Sequence, residues 1–188
     1  MGLAEDVAEI GRLIDTFDAR HPFAAVFEPD DENTPRVFPS TLTEQALFAG
    51  ERELGVQFPP GFRAYLLARC HPFDQLQPRH CPDQIVFWRA VYSDDPLRGV
   101  RWEINDWRAL LGAGYIPFAQ WGDGWGPMCF DTARRAPDGE CPVVWMDHEL
   151  LHGPLHQRSH VEPLARPLYA NSRDMIFDLF ALPHGTNQ

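Results

Sequence analysis

From Ile116 to Glu149 the chain reads IPFAQWGDGWGPMCFDTARRAPDGECPVVWMDHE. Three short apolar runs alternate with two turn signals. Ile116–Trp121 is followed by Gly122-Asp123-Gly124, Met128–Thr132 by Pro137-Asp138-Gly139, and Pro142–Asp147 closes the set. Glycine supplies the positive φ that tight turns require, and Asp and Pro favour turn positions around it. Strands joined by connections this short pair antiparallel, because a parallel crossover needs a dozen residues or more. The stretch therefore predicts a three-stranded β-meander, and the rest of the chain must cover it.

The covering elements read as helices. Leu3, Val7, Ile10, Ile14 and Phe17 share one face of a helix over residues 3–17. Residues 21–40 are rich in Pro, Asp and Glu, and the acidic run Glu28-Pro29-Asp30-Asp31-Glu32-Asn33 within them reads as a solvated loop. Thr41 and Glu44 have capping-box spacing, and the helix they open points Leu47 and Leu54 inward and stops at Gly55. Phe58-Pro59-Pro60-Gly61 is a hinge, with Pro60 suited to the first turn of a helix presenting Phe62, Tyr65 and Leu66. Gln84–Ala90 and Val100–Ile104 read as strands and Asp106–Leu111 as a short helix. A last helix starts near Asn171-Ser172 and carries Met175, Ile176, Leu179 and Phe180. The expected class is α+β, with a mostly antiparallel sheet packed against N-terminal and C-terminal helices.

A second passage, GERELGVQFPPGFRAYLLA over residues 50–68, sets a Glu and a Leu-Gly before a proline turn and an aromatic-rich helix. Together with the meander it resembles the SUKH superfamily, the fold of fungal Smi/Knr cell-wall regulators and of many bacterial immunity proteins. The resemblance spans Thr41 to Leu182. It implies a domain over residues 41–182, preceded by a helix and acidic loop over 1–40 and followed by a tail over 183–188. It also implies a protein that binds another protein and catalyses nothing. The chain departs from the pattern in three places: the N-terminal extension, the link from Cys70 to Gln84, and a His-rich insertion from His148 to His160. Cys70-His71-Pro72 stands where the family usually has Asn-Gly.

The 188 residues include no lysine, so all sixteen basic residues are arginine. Schiff-base, P-loop and kinase-type lysine chemistry is thereby excluded, and no GxSxG elbow is present. Net charge is −11. That opposes nucleic-acid binding, which needs a basic face, and suits a basic protein partner. No apolar run approaches a membrane span. The start, MGLAEDVAEI, has neither the basic residues nor the apolar core of a signal peptide, and Asp6 breaks a myristoylation pattern. The expected compartment is the cytoplasm, where Cys70, Cys81, Cys129 and Cys141 stay reduced in core or strand positions.

Several clusters invite chemistry. His148, His152, His156 and His160 recur every four residues, but Gly153-Pro154 breaks the helix that would align them. Cys70-His71 and His80-Cys81 lack the spacing of paired zinc ligands, so a surface loop with half-buried thiols is expected instead. No metal site and no cofactor is assigned. Asp123, Asp131, Asp147 and Glu149 could run acid–base chemistry, yet each acid at a turn or strand end also suits a capping role. Most of the six tryptophans are expected in the core. Trp125, between Gly124 and Gly126, is either an exposed binding anchor or folded back over the sheet edge.

The resemblance then implies an immunity protein that neutralises a cognate toxin in the producing bacterium, an acidic inhibitor suiting a basic toxin such as a nuclease. Asp30, Asp31, Glu32, Asp123, Trp125, Asp147 and Glu149 are the candidate contacts. A non-catalytic regulatory module of the Smi/Knr type is the alternative, and a metal-dependent hydrolase built on the His and carboxylate clusters is a third. Oligomeric state is left open.

Overall fold

The computed structural model describes residues 2–20, 37–73, 75–81, 86–87, 91, 94–122 and 126–180. Six helices are described: α1 Leu3–Arg20, α2 Glu44–Leu54, α3 Pro60–Ala68, α4 Arg98–Asp106, α5 Arg158–Val161 and α6 Ser172–Phe180. Eight strands are interspersed: β1 Phe38–Pro39, β2 Arg69–Cys70, β3 Gln75–Leu76, β4 Val86–Phe87, β5 Tyr115–Trp121, β6 Pro127–Asp131, β7 Val143–Trp145 and β8 Arg166–Tyr169. The last six form one antiparallel sheet in the order β3-β4-β5-β6-β7-β8, and β1 pairs with β2 apart from it. The fold is α+β, and the meander expected between 116 and 147 is its centre.

Strand alternation divides the core in two. On one face Ile116, Phe118, Met128, Phe130 and Val143 share a core with buried residues of α1, α3, α4 and α6. Phe118 and Phe130 stack at 4.0 Å, and Phe62 of α3 packs on both. On the opposite face Tyr115, Cys129, Val144 and Met146 are covered by Leu110, Ala113, Leu151 and Val161. The His-rich insertion therefore works as a cover for the second face of the sheet. Arg158 pins it there, bonding both oxygens of buried Asp131 at 2.7 and 2.9 Å while stacking over Tyr115.

The same logic docks α1. Ile10 and Ile14 are fully buried, and Phe17 meets Phe73 and Phe180 edge-on at 5.2 and 5.5 Å. Arg69 bonds Asp15, and Arg173 bonds Asp6 and Glu9.

Glu140 holds two helix starts at once. Its carboxylate accepts from Gly61 N at 2.6 Å, from Ser172 N at 3.0 Å and from Ser172 Oγ at 2.7 Å. One anion thus answers orphan donors at the N-termini of α3 and α6. Gly61 is needed for this approach, because a Cβ there would lie 2.7 Å from Ser172 Oγ.

Several sequence expectations are corrected. Residues 100–104 form part of α4, not a strand, because Val100 and Ile104 lie one helical turn apart and bury together with Leu97. Phe38–Pro39, for which no strand is expected, pairs with Arg69–Cys70. The cap of α2 is Thr43, whose hydroxyl accepts from Ala46 N at 3.2 Å, and not Thr41. The short helix expected at 106–111 is a 3₁₀ segment over Arg108–Ala113. Strand β8, between the meander and α6, was not foreseen. Cys70 and His71 lie in the core and not on a surface loop. Of the tryptophans described, only Trp121 is buried, Trp107 and Trp145 are half-buried, and Trp102 is 52% exposed.

Candidate partner-binding site

Of the seven candidate contacts, Asp147 and Glu149 are described; Asp30, Asp31, Glu32, Asp123 and Trp125 lie outside the described residues. Asp147 follows β7 and opens a 3₁₀ turn, its carboxylate accepting from Glu149 N at 2.9 Å. That turn lifts Glu149 and Leu150 into solvent, Leu150 being 47% exposed.

The residues flanking 123–125 converge on this corner. Gly126 adopts φ 143°, and a Cβ there would lie 1.9 Å from the Met146 carbonyl oxygen and 2.8 Å from His148 N. Only glycine permits so close an approach. Trp121 N donates to Gly126 O at 2.9 Å, and Met146 N to Pro127 O at 3.2 Å. The chain thus leaves β5, and re-enters β6, beside the exit of β7.

Three side chains layer at this end of the sheet. Trp121 stacks on Trp145 at 6.4 Å, and the Arg166 guanidinium sits 5.0 Å over the Trp145 ring. Trp145 and Arg166 are direct cross-strand neighbours in β7 and β8. The sequence held no signal for this group, because the register of β8 is invisible before the sheet is assembled. Leu150 was likewise missed: an apolar residue in an irregular segment gives no periodicity to read.

Several of the groups that might do chemistry serve the fold. Burial pushes the Cys129 thiol up, aided by Glu103 and Asp131, and pushes Cys141 up to about 11, so both are protonated thiols near neutrality and poor nucleophiles. Burial lowers His71 to about 3; its Nε2 meets the Tyr65 hydroxyl at 2.6 Å between the Phe73 and Phe180 rings. Burial, then Asp131, raises Tyr115 to about 12, while the Asp131 carboxylate holds Arg158 above its usual value. His80 lies 2.8 Å from Asp178, which also accepts from Tyr169. His148, His152, His156 and His160 are exposed, and His160 Nε2 bonds the His152 carbonyl at 2.6 Å. Among the described residues no three His, Cys, Asp or Glu side chains converge to hold a metal ion. Nor is any helix there long and apolar enough to cross a membrane.

The six-stranded antiparallel sheet thus carries helices on one face and an irregular cover on the other. Residues 41–175 match the model of the SMI1 / KNR4 family (SUKH-1), and the chain belongs to that family. The matched segment runs from just before α2 into the first turn of α6. Comparison with curated proteins returns no match.

Proposed function

We propose that this protein is an immunity protein: in the cytoplasm of the producing cell it binds a basic toxin and blocks it. The supporting observation is the sheet end at the β7 exit, where Arg166 stacks over Trp145 and the turn that follows β7 leaves Glu149 and Leu150 exposed. Aromatic and Arg anchors beside apolar and charged neighbours are what a tight, selective protein contact uses. The acid excess of the chain, net −11, suits a basic partner such as a nuclease, and residues 28–32 supply four of its carboxylates. The chain works by covering the partner and carries out no reaction of its own.

Co-expression with the product of the adjacent gene tests this reading. The expected result is rescue of growth and a stable complex on co-purification. A neighbouring product that is harmless, or whose toxicity persists in the presence of this chain, removes the toxin reading. A complex with a non-toxic host protein would instead place the same surface in a regulatory assembly of the Smi/Knr kind.

A further inference from the structure

Strand β8 is an edge of the sheet, and an edge strand ordinarily offers its backbone to an added strand. Here Pro167 follows Arg166 and has no N–H to donate, and the β7–β8 register shifts between Val143 and Val144. The proline and the shift weaken strand addition here and favour recognition through side chains. The side chain most prepared for it is Arg166. It is exposed, and its guanidinium is held 5.0 Å above Trp145, which itself rests on buried Trp121.

Most other arginines of the described residues already serve the fold. Arg63 bonds Glu51, Arg69 Asp15, Arg101 Asp95, Arg134 Glu162, Arg158 Asp131 and Arg173 Asp6. Arg166 has no carboxylate among the described residues. Exposed Arg12, Arg20, Arg52, Arg79 and Arg108 also lack one, but none has a ring beneath it there. A stacked guanidinium has already lost much of its rotamer freedom and keeps its outward N–H groups for an acceptor.

We propose that Arg166, fixed on Trp145, is the receptor for a carboxylate side chain of the bound partner. The partner's identity rests on the immunity reading; the site itself does not. It also sets a charge pattern: the partner face presents an acid to Arg166 within an otherwise basic surface that meets Glu149. Alternation of sign rejects uniformly basic proteins that simple acidity would attract.

The test uses the full chain and the peptide acetyl-Gly-Glu-Gly-amide, followed through the arginine Nε–H resonances by NMR. Arg166 should shift saturably, with an apparent affinity about threefold or more above that of Arg52 and Arg79. In Trp145→Leu that advantage should vanish. An Arg166 response no stronger than those two references overturns the proposal, whether or not the Trp145 variant folds. With the toxin in hand, Arg166→Glu should keep the thermal midpoint and weaken binding about tenfold or more. Unchanged binding would refute the partner contact while leaving the immunity function standing. If wild type binds no toxin, the function fails, and the peptide titration alone decides the carboxylate site.

Discussion

At the scale of single residues, the fold depends on a few polar side chains that answer distant backbone groups. Glu140 is the clearest. Glu140→Ala leaves the Gly61 and Ser172 amides without their acceptor and should cost about 2–4 kcal/mol, from charge-assisted bonds at two helix N-termini. Glu140→Gln should recover only part of that, since one of its two terminal atoms now donates. Urea denaturation midpoints check both, and a Gln variant equal to wild type would show that the carboxylate charge does not cap the helices. His71 gives a pH prediction. Its folded value of about 3 lies below the ordinary 6.5, so the unfolded chain takes up a proton that the folded one refuses. Stability from this group is fully present above pH 6.5 and is lost as pH falls toward 3, at up to about 1.4 kcal/mol per pH unit. Between pH 6.5 and 5, where most carboxylates remain ionised, wild type should lose urea stability faster than His71→Phe. Parallel curves for the two proteins would show that His71 is not held neutral.

At the scale of elements, helix α2 carries a direct check on where the helix begins. Thr43→Ala should speed hydrogen exchange at the Ala46 amide and cost about 1 kcal/mol, while Thr41→Ala leaves that amide protected. The opposite pattern would place the cap at Thr41. This two-residue error shows what the sequence could and could not carry. The apolar stripes of α1, α2, α3 and α6 were legible because burial imposes a 3.6-residue period, and Ile10, Leu47, Phe62 and Ile176 all lie in the core. The meander was legible because its glycines need positive φ, as Gly122 and Gly139 show. Helix α4 was misread because Val100, Trp102 and Ile104 alternate like a strand while Val100 and Ile104 also satisfy helical spacing. Strands β1 and β8 escaped because two to four residues give no period at all; their pairing with β2 and β7 creates them. Of the candidate site, the acids at the β7 exit could be read from turn chemistry, as Asp147 confirms by bonding Glu149 N. The Arg166–Trp145 contact depends on register between strands more than twenty residues apart in the chain, and no local pattern encodes that.

At the scale of the whole molecule, charge and packing divide the work. The ion pairs fixing α1 and α5 join parts of this chain, so they cancel locally and contribute little to a distant field. The excess of 27 acidic over 16 basic residues remains to act at range. Such a field steers encounter and is screened beyond about 8 Å at physiological ionic strength. The association rate with a basic toxin should therefore fall about tenfold or more between roughly 15 and 150 mM salt, while dissociation changes much less. Glu149→Lys should reduce the association rate and flatten its salt dependence. Glu149 suits this test because its exposed side chain makes no hydrogen bond or ion pair among the described residues, whereas reversing Asp147 would also remove a turn cap. Stopped-flow measurement at several salt concentrations separates the two rates. An association rate indifferent to salt would mean that the acidity serves solubility alone, and recognition would then rest on the apolar and stacked groups of the corner. A steep salt dependence untouched by Glu149→Lys would move the steering charges elsewhere on the chain, with the acids at 28–32 next to be reversed.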